Sequence, residues 1–215
     1  MILAAGRGER LRPLTDSTPK ALIEVRGQSL LERHLRALHA GGIRDVVINL
    51  GWLGEAIRDR VGNGDAYGLS VHYSDEGENV LETGGGIFRA LPMLGDEPFL
   101  VVNADIFTDM PIPEIGLSGD AVGHLVLVDT PEYRRHGDFD LVDGKVKNAR
   151  EPLLTYSGVA VYRPEFFSNA EPGCFSIVPM LQQAADAGLL QGSHYDGNWA
   201  DVGTPERLSL CNIDS

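Results

Sequence analysis

Short apolar runs alternate with amphipathic stretches along almost the whole chain, and this alternation restricts the fold more than any other feature. The apolar runs Ile2 to Ala5, Asp45 to Leu50, Ser70 to Ser74, Phe99 to Asn103, Ala121 to Asp129 and Tyr156 to Tyr162 read as strands. Helices are expected between them. Ser29 can cap a helix whose Leu30, Leu31, Leu35 and Leu38 share one face, and Gly41-Gly42 can stop it. A second helix is expected near Leu53 to Val61, a third capped by Thr83 and running through Leu91, and a fourth over Ile177 to Ala187. Thr204-Pro205 opens a last one, with proline at the first helical position. Strand and helix in alternation predict an α/β fold with a mostly parallel sheet sandwiched by helices. At 215 residues, a single domain is the expectation. The segments Asp109 to Gly119 and Asp129 to Pro152, rich in proline, glycine and charge, are expected to form a smaller lobe over the sheet's ligand edge.

Composition narrows the partners. The formal net charge of -13 argues against nucleic acid, because a protein without a basic surface forfeits the counterion release that dominates such binding. No apolar run approaches the roughly 20 residues that a membrane span needs, so no membrane partner is expected. The start shows no basic stretch followed by an apolar region and a cleavage site, and Met1, Ile2 and Leu3 read as the inside of a strand. Cys174 and Cys211 stand far apart with no zinc or disulfide spacing, which fits a reduced, cytoplasmic compartment. Against the acidic whole, residues 1–26 hold Arg7, Arg10, Arg12, Lys20 and Arg26 with only Glu9, Asp16 and Glu24, so an anion is expected there.

In open α/β sheets ligands bind beyond the carboxyl ends of the strands, which directs attention to the residues just after each apolar run. The first run leads into Ala4-Ala5-Gly6-Arg7-Gly8-Glu9-Arg10-Leu11-Arg12-Pro13-Leu14-Thr15, with Pro19-Lys20 further on. Gly6 and Gly8 permit positive φ and let backbone N–H groups turn inward as an anion nest, while Arg10 and Lys20 can reach the same phosphates. The loop is not a Walker A motif, since it lacks the closing Gly-Lys-Ser/Thr, and Leu11 stands where a dinucleotide fingerprint needs its third glycine. The run Phe99 to Asn103 leads to Asp105, and Asn198-Trp199-Ala200-Asp201-Val202-Gly203-Thr204-Pro205 presents a second acid. Two aspartates are enough for Mg²⁺, which takes one or two carboxylates together with substrate phosphates and water. Asp75-Glu76-Gly77 precedes Val80-Leu81-Glu82-Thr83-Gly84-Gly85-Gly86, whose glycines leave space for a flat ring to approach the backbone.

These motifs, in this order from Ile2 to about Leu208, resemble those of the sugar-1-phosphate nucleotidyltransferase family. The resemblance implies a Rossmann-like sheet of the nucleotide-diphospho-sugar transferase type with a smaller sugar-binding lobe. It implies that Ala4, Ala5, Gly6 and Gly8 line the nucleotide, that Arg10 binds the β and γ phosphates, and that Lys20 bridges both substrates' phosphates. By the same resemblance Asp105 and Asp201 hold Mg²⁺, with Arg10, Lys20 and Asp105 as the catalytic set. Glu76, Gly77 and Thr83 fall to the nucleotide, and Glu82, Gly84, Asn103, Gly158 and Arg150 to the sugar. Many relatives carry glycine where this chain has Glu82. Arg150-Glu151-Pro152 stands where relatives carry Glu-Lys-Pro, so Arg150, Lys145 or Lys147 is the candidate cation there.

Within the family, the short length, the Glu82 to Gly86 loop and Thr155-Tyr156-Ser157-Gly158 are most similar to the branch that moves UMP from UTP to N-acetylmuramate 1-phosphate in cell-wall recycling. The chain is also similar to mannose-1-phosphate guanylyltransferases. An inactive nucleotide-sugar sensor and a cytidylyltransferase acting on phosphocholine are the alternatives of other kinds. The absence of a hexapeptide-repeat tail suggests a minimal transferase, and a monomer is favoured.

Overall fold

The computed structural model describes residues 1–77, 81–112 and 117–213. Val80 and residues 113–116 of the proline-rich segment Asp109 to Gly119 lie outside them. The strands in chain order are β1 (Ile2–Leu3), β2 (Glu24–Val25), β3 (Gln28–Ser29), β4 (Asp45–Leu50), β5 (Ser70–Asp75), β6 (Phe99–Asn103) and β7 (Ile106–Thr108). They continue as β8 (Gly123–Asp129), β9 (Asp140–Val142), β10 (Lys145–Lys147), β11 (Leu154–Tyr162), β12 (Leu190–His194) and β13 (Trp199–Asp201). The helices are α1 (Leu30–Ala40), α2 (Gly54–Val61), α3 (Glu82–Leu94), α4 (Val178–Asp186) and α5 (Pro205–Asn212). The chain divides into two compact units: residues 1–81, 102–113 and 198–215 form the first, and 82–101 with 114–197 the second.

The first unit is built on parallel strands in the order β5-β4-β1-β6. β1 lies between two neighbours, with Ile2 opposite Ile48 on one side and Val102 on the other, and all three side chains are buried. Burial on both faces is what a parallel strand requires, and it explains the unbroken apolar runs. α1 buries Leu30, Leu31, Leu35 and Leu38, each contributing roughly 2 kcal/mol through the area removed from water, and Leu30 packs with Val25, Val202 and Cys211. Ser29 caps α1 by accepting from the Glu32 N–H, and Thr204 caps α5 by accepting from the Arg207 N–H. β7 and β13 form a separate antiparallel pair in which Asp201 lies opposite Ile106.

The second unit is mixed, in the order β6-β11-β8-β12-β10-β9, with β8 antiparallel to β11 and parallel to β12. An aromatic cluster fills its core, where the Tyr162 ring stacks on Phe166 at 5.0 Å and Phe167 meets Phe166 edge-on at 5.0 Å. The stretch expected to be irregular holds the hairpin β9–β10. Its turn is Asp143-Gly144 with φ of 50° and 72°, the positive values that a two-residue hairpin turn demands.

Two expectations need correction. Thr83 does not cap α3: the helix begins at Glu82, so Thr83 lies inside its first turn. The short strands β2, β3, β7, β12 and β13 are absent from the sequence expectation, because pairs of two to five residues with polar members carry no period that separates them from loop. Among the described residues no helix is long and apolar enough to cross a membrane.

Candidate active site

The loop after β1 is held open from below. Gly8 adopts φ of 63°, and a Cβ there would stand 2.9 Å from Thr15 Cγ2 and 3.0 Å from Lys20 Cβ. Only glycine therefore lets the turn close over Thr15, whose hydroxyl donates to the Gly8 carbonyl at 2.9 Å. Gly6 differs: its φ is outside the left-handed region, and a Cβ would find no atom within 4 Å. The expected reason for glycine, positive φ at both positions, thus applies to Gly8 alone. Gly6 leaves empty space above the backbone instead. Ala5 is set from behind by Gly51, where a Cβ would meet the Ala5 carbonyl oxygen at 2.6 Å.

A buried polar chain anchors the loop to the segment after β5. The Ala4 N–H donates to Asn49 Oδ1 at 2.6 Å, Asn49 Nδ2 donates to Glu76 Oε1 at 2.6 Å, and the Leu81 N–H donates to Glu76 Oε2 at 3.1 Å. Asn49 and Glu76 are only 3% and 6% exposed, so this network is kept from water and every member is satisfied. Glu76, expected beside the base, has both carboxylate oxygens engaged by the protein. Gly77 next to it is exposed at φ of 66°, and its N–H donates to Asp75 Oδ1 at 2.8 Å. Asn49 is not among the residues that motif points to. An asparagine inside an apolar strand is its only signal.

The two aspartates are brought together by backbone. Ala104 N–H donates to the Leu3 carbonyl at 3.0 Å, which sets the exit of β6 beside the start of the loop. The Asp105 carbonyl then accepts from the Val202 N–H at 2.8 Å, so residues 105 and 201 to 202 adjoin across the β7–β13 pair. Each carboxylate holds one cation: Lys20 Nζ contacts Asp105 Oδ2, and Arg207 Nη1 contacts Asp201 Oδ2. The side chains of Asp105 and Asp201 are 31% and 26% exposed, open enough to meet a solvent-borne ligand. His34 on α1 is buried, and desolvation holds its pKa down to about 4 against the opposing pull of the Ile106 backbone and Asp105, so the ring is neutral. Asn103, at the end of β6 opposite Leu3, is half-buried.

The donor set suits a hard divalent cation. Both groups are carboxylates, and among the described residues no cluster of three or more His, Cys, Asp or Glu could form a closed protein cage. Mg²⁺ fits such a site, since it keeps waters and takes phosphate oxygens beside one or two carboxylates. Arg10 is exposed and, among the described residues, forms no ion pair. Arg207 carries no signal in the sequence, where it reads as an ordinary helix-surface cation.

The remaining predicted residues lie in the second unit. Glu82 and Thr83 are exposed on the first turn of α3, Glu82 with φ of 58°. Gly84 is buried, and the ring of Phe175 occupies the space its missing side chain leaves, 2.5 Å from where a Cβ would be. The flat ring expected to approach this glycine is the chain's own. Gly158 is buried in β11 at φ of 84°, inside the register shift between Tyr156 and Ala160, and Arg150 is exposed. Among the described residues no hydrogen bond or ion pair joins Arg150 or Gly158 to the α3 turn. A cavity of about 480 Å³ in this unit, bordered by Phe166, Phe175, Met180 and Leu189, includes none of the predicted residues.

The chain is 44% identical, over 97% of its length and 94% of the relative's, to a protein of Neisseria meningitidis serogroup B named N-acetylmuramate alpha-1-phosphate uridylyltransferase. A protein of the same name from Caulobacter vibrioides is 36% identical over 96% of this chain and 92% of its own. The crystal structure of HddC from Yersinia pseudotuberculosis shares the fold with a TM-score of 0.81, covering 98% of this chain and 96% of that one at 22% identity. A family model described as nucleotidyl transferase matches residues 1–141, and on that match and these relatives the chain belongs to the nucleotidyl transferase family.

Proposed function

We propose that this chain transfers UMP from UTP to N-acetylmuramate 1-phosphate, releasing pyrophosphate, and that it does so with Mg²⁺ as part of peptidoglycan recycling. The observation that carries the reading is the convergence, in the first unit, of an open glycine loop with two part-exposed carboxylates that each hold one cation. The 44% identical relative supports the choice of UTP and of the muramate sugar.

In this reading a 1-phosphate oxygen of the sugar attacks the α-phosphorus of UTP. The new P–O bond forms as the bond to the β-bridging oxygen breaks, and pyrophosphate leaves without a covalent enzyme intermediate. Such transfer is mostly positioning and charge stabilisation. The backbone from Ala4 to Gly8 seats the triphosphate, and the space above Gly6 is what admits it. Arg10 binds the β and γ phosphates, and Lys20, held beside Asp105, offsets charge developing at the α-phosphate. Mg²⁺, when bound, neutralises phosphate charge beside the attacked phosphorus, and Asp105 and Asp201 are the groups that would hold it. Glu76 acts through structure: it fixes Asn49 and Leu81, and with them the nucleotide-side backbone. Gly77 and Thr83 serve the nucleotide, and Glu82, Asn103, Gly158 and Arg150 the sugar, while Gly84 makes room for the Phe175 ring instead. Residues 1–215 work in this account as one nucleotidyltransferase domain.

The test is pyrophosphate release with Mg²⁺, crossing UTP, GTP, CTP and dTTP against the 1-phosphates of N-acetylmuramate, N-acetylglucosamine, mannose and glucose. Turnover confined to UTP with the muramate is expected. Preference for GTP with mannose 1-phosphate would replace the substrate pair, and silence across the panel with nucleotide binding intact would favour a sensor. Asp105→Asn and Asp201→Asn should each lower kcat at least ~100-fold.

A further inference from the structure

We propose that Arg207 is a second polyphosphate-binding cation, acting with Arg10 on the departing pyrophosphate; this rests on the nucleotidyl-transfer reading. Arg207 stands in the first turn of α5, and its guanidinium reaches back to the Asp201 carboxylate. The two arginines meet at Gly203. A Cβ built there would lie 3.1 Å from Arg207 Nη1, 3.2 Å from Arg10 Nη2 and 3.2 Å from Asp201 Oδ2. Two guanidinium groups and one carboxylate thus converge on a single backbone position that carries no side chain to crowd them.

Like charges drawn that close need an anion between them. Asp201 answers Arg207, while Arg10 forms no ion pair among the described residues. A pyrophosphate supplies the missing charge, and its non-bridging oxygens match the planar fork of guanidinium better than the point charge of an ammonium. The site also has a built-in exchange. Asp201 is a candidate metal carboxylate, so giving its oxygens to a cation loosens the bond to Arg207. The Arg207 backbone stays fixed on the Thr204 cap at 3.4 Å, and its side chain is left beside Arg10, where the phosphates go. Asp105 and Lys20 form the corresponding pair on the other carboxylate. On each side a cation keeps the acid in place until substrate arrives, and then serves the phosphates.

The experiment is equilibrium binding of inorganic pyrophosphate to the full chain, in EDTA and in Mg²⁺, for wild type, Arg207→Gln, Arg207→Lys and Arg10→Gln, with a thermal melt of each. Arg207→Gln should weaken pyrophosphate about tenfold or more, Arg207→Lys should recover part of it, and KM for UTP should rise while KM for the sugar phosphate holds. Affinity within about twofold of wild type in Arg207→Gln, with Arg10→Gln weakened, overturns the inference and leaves the proposed function standing. Failure of wild type to bind pyrophosphate in either buffer overturns both.

Discussion

The chain carries two glycine-rich segments that look alike in sequence and differ in what fills the space they create. Around Gly6 and Gly8 the backbone turns over Thr15, and the volume above Gly6 is open. Along Gly84 to Gly86 the glycines are buried in a helix, the Phe175 ring lies against Gly84, and the Gly85 N–H donates to the Phe175 carbonyl at 3.1 Å. A missing side chain is an invitation in both places. In the first it is extended to a ligand, in the second to the protein itself. Glycine content alone therefore does not mark a binding loop; the neighbour that uses the space does.

The sharpest way to break this contrast is to fill each space in turn. Gly6→Ala should leave the melting temperature nearly unchanged, since nothing lies within 4 Å of the new Cβ, yet lower kcat/KM for UTP by about 100-fold by lifting the triphosphate off the backbone. Unimpaired turnover would show that the nucleotide does not use that space. Gly84→Ala should do the reverse, costing about 2 kcal/mol of stability in urea denaturation with KM for UTP little affected, because the Phe175 carbonyl 2.8 Å from the new Cβ cannot swing aside as a flexible side chain could.

A double-mutant cycle sharpens the second half. With Phe175→Ala already in place, Gly84→Ala should cost less, since the ring at 2.5 Å is gone while the carbonyl of residue 175 at 2.8 Å remains, giving a coupling energy of about 1 kcal/mol. Additive effects would mean that the Phe175 ring is not what demands glycine. The smallest effect is expected two residues away. Glu82 sits at φ of 58°, so Glu82→Gly should relieve strain and add about 1 kcal/mol, with a rise in KM for the sugar phosphate. A loss of stability instead would show that the Glu82 side chain makes a contact worth more than the strain.

Much of the first unit was legible because its signals are local. The boundaries of Asp45–Leu50 and Phe99–Asn103 follow from apolar runs, and the caps at Ser29 and Thr204 from residue type at a helix start. Arg10, Lys20, Asp105 and Asp201 could be named from motif, and the structure sets Lys20 on Asp105 and Arg10 beside Gly203. What stayed hidden depends on partners far along the chain. Asn49 acquires its role from the Ala4 N–H and the Glu76 carboxylate, at 45 and 27 residues' separation. Glu76 is expected from the resemblance to lie beside the nucleotide, and its burial beside Asn49 makes it an internal anchor.

The sequence by itself determined the periodicity of the longer elements, the turn chemistry at Gly8, and the inventory of cations and carboxylates, since each depends on a residue and its immediate neighbours. Tertiary structure decided which cation each carboxylate holds, and that Gly84 faces a protein ring while Gly6 faces open space. The physical reason is range. Backbone conformation and side-chain period are settled within a few residues, whereas charge pairing and packing depend on what the fold carries to within a few ångströms.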